Sequence, residues 1–70
     1  MATIIELRTG LGWTQTELAR QARLSANTVR KAEEHKAISG GTAQALAETF
    51  SRAYGRSILV RDIEGLKVVL

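Results

Sequence analysis

Seventy residues make one domain, and a chain of that size buries only about 60% of the surface its unfolded form exposes. It has no cysteine, which excludes disulfides and thiolate metal cages, and no apolar run near the roughly 18 residues of a membrane span. Ten Lys and Arg against seven Asp and Glu leave a net charge of +3, which permits an anionic partner such as nucleic acid without requiring one. Glu6 and Arg8 interrupt the stretch where an export signal needs an apolar core, so the expected location is the cytoplasm.

Proline is absent and alanine frequent, which favours helix along most of the chain. Thr3 and Glu6 have the S/T-x-x-E spacing of a capping box. They predict a first helix with Ile4, Leu7, Arg8 and Leu11 on one face, ended by Gly10 and Gly12. Thr14 and Glu17 repeat the spacing and open a second helix, whose inward stripe is Leu18, Ala19 and Ala22. Ser25 caps a third helix from Ala26 to about Glu34, with Val29 and Ala32 inward. "AISGG" reads as a loop. "TAQALAETFSRAY" then predicts a fourth helix that turns Ala43, Leu46, Ala47, Phe50, Ala53 and Tyr54 inward and stops at Gly55. The last segment, "RSILVRDIEGLKVVL", reads as extended, then a helical turn in "RDIEG", then extended again.

Two short helices joined by a tight turn, the second opening on Ser25, form a helix-turn-helix arrangement. The stretch "LSANTVRKAEEHK" holds few apolar residues, so only a narrow stripe of it can face a core. A helix meant for the major groove, about 12 Å wide, has to be slim and polar on its outer side. Asn27, Arg30, Lys31 and Glu34 share one face, opposite Val29 and Ala32. Asn suits adenine N6 and N7, and Lys or Arg suits guanine O6 and N7. Composition alone fits the solvated face of a small bundle as well.

"LRTGLGWTQTELARQARLSANTVRKAEEHK", followed by "ISGGTAQALAETF", resembles the DNA-binding domain of lambdoid phage repressors and Cro, the xenobiotic-response-element type of bacterial regulator. Arg8, the Thr14-Gln15-x-Glu17-Leu18-Ala19 block, Ser25-x-x-Thr28-Val29 and Glu33 carry the resemblance, which runs from Ile4 to Phe50. It implies an all-α fold: a compact bundle of four to five helices with a central helix-turn-helix over residues 1–56. Residues 57–70 then form a short, partly extended C-terminal tail of the same domain. It also implies binding to double-stranded DNA as a homodimer on a two-fold site.

Carried over by position, Gln15 falls on the phosphate-grasping site at the positive end of the second helix. Ala26, Asn27 and Lys31 fall on base-reading positions, and Thr28 on a backbone-contacting one. Arg30 joins the base-reading set from its place on the same face. Thr14, Arg23 and Lys36 complete the expected backbone set, with Arg20 and Arg23 divided between phosphate contact and ordinary solvation. Arg8 and Glu33 fall on a pair that, in the family, ties the first helix to the third by a salt bridge.

The chain also departs from the family pattern. Arg23 and His35 stand where glycine usually ends the second and third helices. A left-handed backbone costs a residue with Cβ about 1 kcal/mol or more, so these turns are expected to differ in detail. Glu34 would repel phosphate unless it steadies an arginine or accepts from a cytosine amine. Ala26 offers only a methyl contact.

His35 reads as a helix-end histidine rather than a metal ligand, and Trp13 as a packing residue rather than a stacking one. Gly40-Gly41 precedes no GK[ST] and reads as loop. Without paired carboxylates, a Ser/His/Asp set or a nucleotide loop, neither catalysis nor a cofactor or metal is expected. Val68, Val69 and Leu70 either pack against the first and fourth helices or pair as an open strand with a second copy. The function expected is sequence-specific DNA binding by a transcriptional regulator, a repressor or an antitoxin-like autoregulator. The alternative is an interaction module that docks on a toxin, a polymerase or another protein partner and has weak DNA affinity.

Overall fold

Each helix begins where a hydroxyl meets its first turn. In the computed structural model, which describes residues 2–69, Thr3, Thr14, Ser25 and Ser39 accept from the N–H groups of Glu6, Glu17, Thr28 and Thr42. A cap of this kind contributes about 1 kcal/mol. The helices they open are α1 (Ile4–Gly10), α2 (Gln15–Ala22), α3 (Ala26–Glu33) and α4 (Gly40–Tyr54). The Thr3–Glu6 box is complete, with the Thr3 N–H donating to Glu6 Oε1 at 2.9 Å. The second box is only half made. Glu17 turns along its own helix to Arg20 at 3.0 Å and Gln21 at 2.8 Å, partners one turn on.

Leu18, Val29, Ala43, Leu46 and Phe50 are fully buried and form the centre, with Ile4, Leu7, Ala19, Ala22, Ala32 and Ala47 around them. The inward stripes thus follow the apolar spacing, except at Ala53, which is exposed. Tyr54 takes its place at the end of α4, half-buried, with its hydroxyl donating to the Leu7 carbonyl at 2.7 Å. A Cβ on residue 10 would lie 2.6 Å from that hydroxyl oxygen, so Gly10 leaves room for the Tyr54 hydroxyl to reach α1.

"AISGG" is not a loop. Ala37–Ser39 form a strand, and α4 starts at Gly40 because the Ser39 hydroxyl caps it. Four strands are present among the described residues: β1 (Ala2–Thr3), β2 (Ala37–Ser39), β3 (Ile63–Glu64) and β4 (Lys67–Val69). β3 pairs with β1 and β4 with β2, both in parallel, in two separate two-stranded sheets. The expected all-α class holds, with four α-helices and these small strands added to it. The only helical turn after α4 among the described residues is a 3₁₀ turn at Val60–Asp62.

The tail folds onto its own chain, one strand laid against the entry of α1 and the other against the entry of α4. Ile58 and Ile63 join the core, and Val68 packs against it half-buried. Val69 is 55% exposed, and Leu70 lies outside the described residues. The Ile58 N–H donates to Ser51 Oγ at 2.8 Å, which fixes the start of the tail on α4. Of the described helices, none is long and apolar enough to cross a membrane.

Candidate nucleic-acid interface

The turn between α2 and α3 is made by backbone bonds. The Leu24 N–H reaches the Ala19 carbonyl at 2.8 Å and the Arg23 N–H the Arg20 carbonyl at 3.2 Å, the pairing of a Schellman motif. The same motif ends α3, with the Lys36 N–H on the Lys31 carbonyl at 2.9 Å and the His35 N–H on the Ala32 carbonyl at 3.3 Å. Its left-handed residue is Arg23 (φ 59°) in the first case and His35 (φ 63°) in the second. The two turns therefore keep the glycine geometry without glycine, which corrects the expectation that they would differ. His35 gains a partner there, since its Nδ1 lies 2.8 Å from the Gly65 carbonyl and must donate to it.

A compact network sets α3 against α1 and the start of α2. Arg8 Nε lies 2.6 Å from Glu33 Oε2 and its Nη2 3.3 Å from Oε1, while Nη1 donates to the Trp13 carbonyl at 3.0 Å. Gln15 Nε2 donates to Glu33 Oε1 at 2.8 Å. The Arg8 and Glu33 side chains are only 15% and 4% exposed, so this forked pair is shielded from solvent. Trp13 is half-buried against the core. Gln15 thus serves the Arg8–Glu33 pair with one amide hydrogen and keeps a second for another acceptor.

On the outer side of α3, Ala26, Asn27, Arg30, Lys31 and Glu34 are exposed, and Val29 and Ala32 face inward. Among the described residues, no element of the chain covers Asn27 or Lys31. Thr28 is half-buried, and its hydroxyl lies 2.8 Å from Ser25 Oγ. Arg30 Nη2 donates to Asn27 Oδ1 at 2.6 Å. Lys36 pairs with Glu34 at 3.2 Å, so the carboxylate carries its own counter-charge. The side chains of Lys31 and Arg23 make no ion pair among the described residues. Thr14 is exposed at the α2 N-terminus, beside half-buried Gln15.

Sequence reasoning missed several of these links. The Asn27–Arg30 bond had a visible signal, a hydrogen-bonding pair three residues apart on a helix. The Gln15–Glu33 and His35–Gly65 bonds had none, because each joins residues brought together only by tertiary packing. Among the described residues, no three His, Cys, Asp or Glu side chains are grouped to hold a metal ion.

A short helix, a tight left-handed turn and a second helix with an uncovered polar face define a helix-turn-helix protein. The family model described as Helix-turn-helix matches residues 4–57, and the chain belongs to that family, the lambda repressor and Cro type. This is a family of DNA-binding domains found in transcriptional regulators. No curated protein and no solved structure matches the chain.

Proposed function

We propose that this protein is a sequence-specific transcriptional regulator, a repressor or an antitoxin-like autoregulator, that lays α3 in the major groove of double-stranded DNA. The observation that carries the reading is the uncovered polar face of α3, a helix tied to α1 by the shielded Arg8–Glu33 pair. Ala26, Asn27, Arg30 and Lys31 read base edges. Thr14, Gln15, Arg23, Thr28 and Lys36 approach the sugar-phosphate backbone on either side. Gln15 suits that task because its remaining amide hydrogen stands at the positive end of α2. The role is one of binding and not of catalysis, and the protein acts as a homodimer whose reading helices sit about 34 Å apart on a two-fold site.

Selection of binding sites from random duplex DNA, followed by titration of the selected duplex at increasing salt, tests this reading. A palindromic motif and a steep loss of affinity with salt are expected, since each neutralised phosphate releases condensed counterions. Recovery of no motif, with weak binding that ignores salt, contradicts the reading and leaves the protein-docking alternative.

A further inference from the structure

We infer that the cleft between α1 and the start of the tail is where two copies of the chain meet, with Arg56 of one copy against Asp62 of the other. This rests on the homodimer proposed above and names its interface. The cleft has a volume of about 510 Å³ and is lined by Ala2, Leu7, Arg56, Ile58 and Asp62. None of these residues belongs to α2 or α3, so the interface draws on no residue assigned to DNA.

The floor of the cleft is apolar and its rim is charged. Leu7 and Ile58 are buried, while Leu59, next to Ile58 in the chain, leaves a large apolar side chain 44% exposed. Arg56 is exposed, lies 5.7 Å from the centre of the Tyr54 ring and makes no ion pair among the described residues. Asp62 accepts the Leu59 N–H through Oδ2 at 3.0 Å, and its Oδ1 has no partner among the described residues. A cation and a carboxylate thus line one cleft without pairing with each other. A small anion, or a DNA phosphate, would answer Arg56 and be repelled by Asp62, and a small cation would meet the reverse. A second copy of the same surface answers both. Across a two-fold axis each residue meets its counterpart's partner, so the Arg56–Asp62 contact is made twice. The exposed Leu59 adds apolar area to be removed from water between the two contacts, and an apolar centre with a polar rim is the usual make-up of a protein interface. The dimer forms without DNA.

Sedimentation of the full chain without DNA tests the inference, using the wild type, Arg56→Glu, Asp62→Lys and an equimolar mixture of the two variants. The wild type is expected to show a monomer–dimer equilibrium. Each variant alone sets like charges together at both contacts, which raises the dissociation constant by about a hundredfold or more. The mixture is expected to dimerise again, because each contact then joins a carboxylate to a cation. Mixing can restore only a contact between copies, so an ion pair within one chain would not respond. Variants that dimerise like the wild type, or a mixture that stays monomeric while both variants melt like the wild type, overturn the inference. If Asp62→Lys melts lower, Asp62→Asn decides, since it keeps an acceptor for the Leu59 N–H and loses the charge. Dimerisation about tenfold weaker in Asp62→Asn supports the interface, and unchanged dimerisation overturns it. A wild type that stays monomeric at every concentration also overturns it, whereas the homodimer reading falls only if the DNA motif selected lacks two-fold symmetry.

Discussion

The Glu33 carboxylate gathers donors from Arg8 and Gln15, two side chains that lie on different helices. With its side chain 4% exposed, removing the cation leaves a charge that water cannot reach. Arg8→Ala is therefore expected to cost about 3 kcal/mol, at the lower end for a broken buried pair because Gln15 still donates. Urea unfolding at neutral pH measures it, and a loss below about 1 kcal/mol, the range of surface pairs, would show the pair to be ornamental. Arg8 and Glu33 are 25 positions apart, and only the family resemblance brought them together from sequence. Arg23 and His35 were legible for a different reason, since a missing glycine is visible where a left-handed turn is due. The structure keeps the turn and accepts the strain. Arg23→Gly relieves about 1–2 kcal/mol of that strain and gives part of it back through a looser unfolded chain. A gain of up to about 1 kcal/mol by thermal melting is expected, and a loss of stability contradicts a strained Arg23.

Elements with strong start signals were the easiest to place. The hydroxyl caps at Thr3, Thr14 and Ser25, together with the apolar spacing behind them, locate α1, α2 and α3 to within about a residue. The "AISGG" strand was hidden because three residues are too short to show alternation, and its two glycines resemble a loop. The tail showed its β-propensity in "LKVVL" but not its partners. Parallel pairing joins Ala37–Ser39 to Lys67–Val69 across 30 positions, and nothing local encodes such a register. The fastening of the tail can be tested at Gly65. Its φ is +83°, and an added Cβ would lie 2.6 Å from His35 Cε1. Gly65→Ala is expected to cost about 1–2 kcal/mol for the backbone alone and to displace the His35 ring. Hydrogen exchange that quickens at Lys67–Val69 before the helices supports this latch, and exchange as slow as in the wild type contradicts it.

At the scale of the whole molecule, the four helices, the folded-back tail and the shielded pair all leave the outer side of α3 uncovered. The modest charge of +3 says little about a partner by itself. Its arrangement says more, because Lys31 and Arg23 have no ion-pair partner among the described residues while Glu34 is paired with Lys36. The decisive measurement is an amide chemical-shift map of the labelled protein titrated with its selected duplex. The account predicts that residues 14–16 and 25–31 move together and saturate at one concentration, while residues 57–69 stay in place. Shifts confined to the tail or to α4, with those at 25–31 unmoved, would contradict it.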